Sequence, residues 1–178
     1  MDAKEFAAIW KAWYPRLRVY AAGFAGLDAA DREDCVQEIL MQAYRQADRY
    51  NPRYAYATWI YSIARSRLID MQRKKQRQAK RETGLDCEVW AQVRDAHGKD
   101  NADVLAAEER SGLLRMLLQK LDPGSREVFH LHYAEGLSTA EIARITGRPK
   151  GTVKSLLFRG RAKLQTMIEE AGHEELFT

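Results

Sequence analysis

Gly147 and Pro149 do most to limit what this chain can fold into. They stand between two apolar patterns of helical period in the stretch from Leu137 to Arg161, L-S-T-A-E-I-A-R-I-T-G-R-P-K-G-T-V-K-S-L-L-F-R-G-R. Ahead of them, Ser138 or Thr139 can cap a first helix, and Glu141 follows Ser138 at the capping-box spacing. Ile142, Ala143 and Ile145 give that helix an apolar face. Gly147 falls just past it, where a left-handed residue is needed and glycine alone adopts it cheaply. Pro149 falls where a second helix can begin. Val153, Leu156, Leu157, Ala162 and Leu164 then recur at helical spacing. The stretch reads as two short helices joined by a tight turn.

The spacing is that of a helix-turn-helix. Ala143 is small where two helices must approach closely, Gly147 follows in the turn, and Val153 is placed to pack the second helix on the first. Arg148 in the turn and Lys150, Thr152, Lys154, Ser155, Phe158, Arg159 and Arg161 on the second helix lie off the apolar stripe. Cations suit phosphates and guanine edges, hydroxyls suit either, and an aromatic ring suits thymine methyls. A helical hairpin with a merely solvated basic face is the alternative, but it does not require a small residue at Ala143.

Charge follows the same plan. The net charge of +4 hides two basic patches, +7 over residues 65–81 and +6 over residues 138–163, with −5 between them over residues 82–112. Two basic patches and an acidic spacer point to two contacts with a polyanion. No stretch approaches the roughly 20 apolar residues of a membrane span. The first residues carry Asp2, Lys4 and Glu5 rather than a long apolar run, so a secretory signal is not expected and a soluble cytoplasmic protein is. The two cysteines, Cys35 and Cys87, show no pairing or metal spacing, and His130 and His132 have no cysteine partner nearby. Neither a metal nor a cofactor is expected.

Taken in order, residues 3–22 read as a helix with an aromatic stripe (Phe6, Ile9, Trp10, Trp13, Tyr14, Leu17, Tyr20) that Pro15 interrupts. Residues 30–48 form a second helix with Val36, Ile39, Leu40, Ala43 and Tyr44 inward and Asp34, Gln37, Glu38, Gln42 and Arg45 outward. A loop around Asn51-Pro52 carries Tyr50 and Tyr54, with Tyr56 just beyond. Aromatic rings beside cations suit single-stranded nucleic acid, where each base stacked on a ring is worth about 1–3 kcal/mol. Residues 56–75 form the longest helix, which frays from Lys74 to Arg81. Val89, Trp90 and Val93 make a short docking helix in an otherwise aperiodic linker. Residues 102–121 return to a helix that Asp122-Pro123-Gly124 stops, and Ser125 caps the next, which runs through Tyr133.

Two strings carry a family resemblance. One is D-R-E-D-C-V-Q-E-I-L-M-Q-A-Y-R followed by T-W-I-Y-S-I-A-R-S-R-L-I-D-M-Q-R-K-K; the other is L-D-P-G-S-R-E-V-F-H-L-H-Y-A-E-G-L-S-T-A-E-I-A-R-I-T-G-R-P-K-G-T-V-K-S. In this order the chain resembles bacterial RNA polymerase sigma factors of the sigma-70 family, in their small two-domain extracytoplasmic-function (ECF) group. The resemblance implies an all-α fold of two small helical domains joined by a flexible linker. Residues 1–80 would be region 2, 81–101 the linker, and 102–178 region 4 with the helix-turn-helix. It implies no catalysis by the chain itself, only promoter-specific initiation with core polymerase.

The resemblance also assigns residues. Asp34, Gln37, Glu38 and Leu40 match the segment that grips the clamp coiled coil of the polymerase's largest subunit. Tyr50, Tyr54 and Tyr56 match the loop that captures a flipped base of the −10 element. Trp59, Arg65, Ser66, Arg67, Asp70, Arg73 and Lys74 match the melting and −10 helix. Arg148, Lys150, Thr152, Lys154, Ser155, Phe158, Arg159 and Arg161 match the −35 reader, in a domain that also meets the polymerase flap. Promoter DNA and core polymerase are the implied partners; an anti-sigma factor is a further one that no residue here identifies. Ser66 stands where many members carry Asn. Leu156 replaces a common Arg, with a loss of −35 contact expected, and Gly160 replaces a common Ala at a cost of about 1 kcal/mol in helix stability. The competing readings are a helix-turn-helix regulator that acts without being a polymerase subunit, and a small enzyme. The first lacks a receiver or ligand domain ahead of the motif, and the second lacks any nucleophile, paired carboxylates or phosphate loop.

Overall fold

A computed structural model describes residues 3–83 and 117–170 of the chain. The described residues are helical: α1 (Ala3–Ala22), α2 (Ala29–Arg45), α3 (Tyr56–Thr83), α4 (Pro123–Phe129), α5 (Thr139–Thr146) and α6 (Lys150–Glu170), with a 3₁₀ turn at Ala47–Arg49 and a π-helical turn at His130–Ala134. They cluster into two compact units. One holds Met1–Val93 with Ala140–Arg148, the other Arg94–Thr139 with Pro149–Thr178. The expected docking helix at Val89, Trp90 and Val93, Cys87 and most of the 102–121 helix lie outside the described residues.

In the first unit α1, α2 and α3 close around one core. Leu17, Tyr20 and Ala21 come from α1, Cys35, Val36, Ile39, Leu40 and Ala43 from α2, and Ile60, Tyr61, Ala64 and Leu68 from α3, all buried. Each large apolar side chain so buried contributes about 1.5–3 kcal/mol. Tyr61 holds the aromatic part together, edge-on to Trp13 at 5.8 Å and to Tyr20 at 5.0 Å between ring centroids. Helix α1 continues through Pro15, which lies on its solvent side. Cys35 is sealed in this core, and burial first, then the nearby Glu38, pushes its thiol up to about 11. A thiol so placed packs as a small apolar group and does not react.

Two expectations about boundaries are corrected. Helix α2 starts at Ala29 because Asp28 caps it: the Asp31 amide donates to Asp28 Oδ1 at 2.8 Å, and the Asp28 amide to Asp31 Oδ2 at 3.2 Å. It stops at Arg45, not at residue 48, and the Gln46 amide donates to the Gln42 carbonyl at 2.9 Å. Helix α3 does not fray at Lys74 but continues to Thr83. Its distal half is tethered: Gln72 Nε2 donates to the Ala25 carbonyl at 2.7 Å, and Lys75 Nζ lies 2.8 Å from Asp31 Oδ1.

In the second unit α4 packs on α6. Asp122, not Ser125, caps α4, its Oδ1 accepting the Ser125 amide at 2.9 Å, with Pro123 in the first turn. Burial pushes the Asp122 carboxyl up, but the hydrogen bonds from Ser125 and Gly124 and the charge of Arg159 outweigh it and hold it below the usual carboxylate value. Arg126 turns back to the carbonyls of Leu118, at 3.1 Å, and Leu121, at 3.0 Å, closing the end of the preceding helix. Val153, Leu156, Leu157, Gly160 and Leu164 are the buried face of α6, whereas Ala162 is exposed and leaves the predicted stripe. Gly160 is there because of Phe129: a Cβ at that position would stand 2.4 Å from Phe129 Cε2.

Candidate nucleic-acid interface

Three surfaces carry the residues singled out in the sequence. The first is α6. It follows α5 through a turn in which Gly147 has φ +67°, the left-handed conformation its position requires. Lys150, Thr152, Lys154, Ser155, Phe158, Arg159 and Arg161 are all exposed, and Phe158 is 75% exposed, a large ring held in water. Arg148 is half-buried. Arg161 leans away from the rest: its Nε donates to the Tyr133 hydroxyl at 2.5 Å, and its guanidinium lies 5.7 Å from that ring's centroid. Lys154, Ser155 and Phe158 therefore form the centre of the open face. Leu156 does not belong to it. It is 6% exposed and part of the core, so the expected loss of a DNA-facing cation there is overturned.

The second surface is the loop before α3. Tyr50, Tyr56 and Trp59 pack in a triangle, with centroids 5.3 Å apart for Tyr50–Tyr56, 5.5 Å for Tyr50–Trp59 and 5.3 Å for Tyr56–Trp59. These rings line an open cleft of about 470 Å³ with Glu5, Ala8 and Ile9 of α1 and Ala47. Burial, then the neighbouring Tyr50, pushes the Tyr56 hydroxyl's pKa up. Asn51 shapes the loop by accepting the Arg53 amide on its side chain at 3.0 Å, and the Tyr50 hydroxyl donates to the Tyr54 carbonyl at 2.8 Å. The three tyrosines are thus not equivalent. Tyr50 and Tyr56 are half-buried, and Tyr54 is the one set out in solvent, at 43% exposure.

The third surface is the body of α3. Ser62, Arg65, Ser66, Ile69, Asp70 and Arg73 recur at three- and four-residue spacing and, with Ile145, line a cleft of about 260 Å³. Ser62 and Ile69 were missed in the sequence, although their helical spacing from Ser66 and Arg73 could have found them; the α1 residues Glu5, Ala8 and Ile9 reach the Tyr50 cleft by tertiary packing, which no local spacing signals. Lys74 is exposed beside this cleft without lining it. Arg67 points elsewhere: its Nε donates to Gln42, and its Nη1 lies 3.5 Å from Glu38 Oε1, so it braces α2. On α2 itself Asp34, Gln37 and Glu38 are exposed. Leu40 is fully buried and cannot touch a partner; its assignment to that contact set is corrected to a core position. Glu33 backs this face, accepting from the Tyr14 hydroxyl and from Gln37 Nε2 at 3.3 Å. The Tyr14 bond outweighs burial and holds the Glu33 carboxyl below its usual value.

Among the described residues no group of three or more His, Cys, Asp or Glu is placed to hold a metal ion, and no helix is long and apolar enough to cross a membrane. Family models match in two places: Sigma-70 region 2 over residues 9–78 and Sigma-70, region 4 over residues 111–164. The ECF RNA polymerase sigma factor SigW of Bacillus subtilis is 32% identical over 148 residues, covering 79% of this chain and 76% of the relative. ECF RNA polymerase sigma factor RpoE of Cereibacter sphaeroides is 28% identical over 155 residues, covering 86% and 81%. Among solved structures, the sigma factor RpoE of Bartonella quintana, crystallised with the anti-sigma factor NepR, matches with a TM-score of 0.69 and 26% identity over 94% of this chain and 98% of that one. The fold of CnrH, solved with the cytosolic domain of CnrY, also matches, with a TM-score of 0.63 at 23% identity over 95% of this chain and 90% of that one.

Proposed function

The chain belongs to the ECF group of RNA polymerase sigma factors, and from that membership we propose how its surfaces divide the work. As a sigma factor it partners core RNA polymerase and promoter DNA and directs promoter-specific initiation of transcription. A helix-turn-helix regulator that acts without polymerase is not favoured.

Residues 1–80 hold polymerase and open the −10 element, residues 81–101 link, and residues 102–178 read the −35 element. Asp34, Gln37 and Glu38 meet the clamp coiled coil of the largest subunit, on a helix that Leu40 anchors from inside and Arg67 braces from α3. Tyr54 receives an unstacked base, with Tyr50, Tyr56 and Trp59 holding its loop. Extruding a base costs a few kcal/mol, and stacking on a ring returns about 1–3 kcal/mol of it. Arg65, Ser66, Asp70, Arg73 and Lys74 follow the separated strand. Lys150, Thr152, Lys154, Ser155, Phe158 and Arg159 face the major groove, with Arg148 and Arg161 at its margins, and the same domain meets the polymerase flap.

No covalent chemistry is asked of this chain, and its workplace is the cytoplasm, where the polymerase is. An anti-sigma factor is a further proposed partner, by analogy with the Bartonella quintana relative bound to NepR. The observation that carries the reading is the open face of α6, where cations surround a solvated phenylalanine. Run-off transcription with bacterial core polymerase on genomic fragments tests it. Discrete start sites that depend on this protein support the reading; no binding to core polymerase would overturn it.

A further inference from the structure

At the edge of the open face of α6, Arg161 meets a side chain of the π-helical turn, Tyr133. Lys154, Phe158 and Arg161 are exposed and, at spacings of four and three, share one side of the helix. Arg161 lies about 4.5 Å beyond Phe158 along the axis. Tyr133 is 53% exposed, but its ring is braced. Buried Phe129 is tilted against it at 5.1 Å between centroids, and His132 stands edge-on at 4.8 Å. His132 is fixed in turn by the Leu137 carbonyl, 2.8 Å from its Nδ1. A carbonyl only accepts, so Nδ1 carries the proton. The Tyr133 hydroxyl is thus held at one place in solvent, where Arg161 Nε donates to it at 2.5 Å. An arginine has five N–H donors and no acceptor, and a tyrosine hydroxyl has one hydrogen and two lone pairs. The hydroxyl is therefore the acceptor of this bond, and its own hydrogen is unspent. Nη1 and Nη2 of Arg161 make no hydrogen bond or ion pair among the described residues.

We propose that Tyr133 and Arg161 form one seat for a backbone phosphate of duplex DNA, which makes Tyr133 a further DNA-binding residue. A phosphate at this edge accepts from the outer nitrogens of Arg161 and from the Tyr133 hydroxyl. Both are charge-assisted hydrogen bonds, which are stronger than neutral ones. The phenol also fixes the direction of the guanidinium fork, so less side-chain freedom is lost on binding than by a swinging arginine. A phosphate contact fixes register and carries no base sequence. The seat therefore strengthens binding to every promoter alike, while Lys154, Ser155 and Phe158 meet base edges. It also gives a task to the π-helical turn, a distortion common at functional sites, because that turn carries Tyr133. The proposal rests on the reading of α6 as the helix that faces the −35 duplex.

The test uses holoenzyme assembled from core polymerase and the full chain, with a fluorescein-labelled duplex promoter fragment found by run-off transcription and fluorescence anisotropy as the readout. Tyr133→Phe keeps the ring and its packing and removes the hydroxyl. It should weaken binding about ten-fold, as loss of a hydrogen bond to a charged group does, and leave the salt slope as it is, because no charge is lost. Arg161→Ala should weaken binding by about ten-fold or more and make the slope shallower by about 1. Without Arg161 the phosphate is no longer drawn to the seat, so the double variant should bind at most about two-fold more weakly than Arg161→Ala. Additive losses would mean two separate contacts, and tighter binding by Tyr133→Phe would mean that the hydroxyl withholds Arg161. Either result overturns the proposal, as does unchanged binding by either single variant. Should Tyr133→Phe lose helicity, methylphosphonate scanning decides. Neutralising each phosphate in turn should find one whose loss costs the wild type about ten-fold and Arg161→Ala nothing; no such phosphate overturns the proposal. If the Tyr133 and Arg161 variants are silent while Lys154→Glu with Arg159→Glu abolishes promoter binding, the seat alone falls. If both sets are silent, the −35 reading of α6 falls as well.

Discussion

Gly160 shows how a residue that looks like a defect in the sequence becomes a requirement in the fold. Glycine inside a helix costs about 1 kcal/mol against alanine, and from the sequence alone Gly160→Ala should stabilise the chain. The structure reverses the sign. The added methyl would meet Phe129 at 2.4 Å, and Phe129 is itself buried, with Tyr133 5.1 Å away between centroids. Overpacking of this kind costs about 1–3 kcal/mol, so Gly160→Ala should destabilise the chain by about 1 kcal/mol net. Urea unfolding measures it, and Phe129→Leu in the same chain should remove most of the penalty; a more stable Gly160→Ala would refute the close approach. Leu40 and Leu156 teach the same lesson. Each was read as a contact residue or a missing contact because of its place in a motif, and each is a core residue because of the side of its helix.

At the scale of elements, the helical pattern could be read directly: the apolar stripes of α1, α2 and α3, the Gly147 turn and the exposed basic face of α6 all follow from spacing, except that Tyr44, expected inward on α2, is exposed. What could not be read depends on partners distant in sequence. The extension of α3 to Thr83 needs Gln72 to reach Ala25 and Lys75 to reach Asp31, contacts of tertiary origin. The unequal exposure of the three tyrosines needs the packing of Tyr50 and Tyr56 on Trp59. The α2 cap makes this testable. Burial pushes the Asp31 carboxyl up, but the hydrogen bonds from Lys75 and the Asp28 amide outweigh it, so its pKa lies below the ordinary 3.8. A carboxylate with a depressed folded-state pKa contributes stability above its unfolded value, and that contribution disappears as the pH falls through the folded one. Asp31→Asn should therefore cost about 0.5–1 kcal/mol at neutral pH, as loss of a capping interaction does, and should narrow the gap to wild type on acidification below 3.8. Urea midpoints at the two pH values check this; a gap that widened in acid would exclude Asp31 as the titrating cap.

For the whole molecule the decisive quantity is where charge sits, because a net +4 conceals patches of +7 and +6. A polyanion is met locally, and each phosphate neutralised releases counterions, so log K falls linearly with log salt with a slope of about −0.9 per phosphate contact. The cations differ in how free they are to make such contacts. Arg67 is engaged with Glu38 and Gln42, Arg161 with Tyr133, and Arg159 lies near enough to Asp122 to influence its carboxyl. Lys154 stands at the centre of the open face of α6 with Arg159 at its edge. Lys154→Glu with Arg159→Glu should abolish promoter use while leaving core polymerase binding intact, since both side chains lie on the open face of α6 given to DNA and the clamp contact given to α2 is untouched. At intermediate salt, where residual promoter binding by the holoenzyme can still be measured, the salt slope should become shallower by about 2, one unit per lost phosphate contact. Filter binding of a promoter fragment over a salt series measures the slope. Loss of polymerase binding would move the α6 surface from DNA to the polymerase, and an unchanged slope would mean that these cations never meet phosphate.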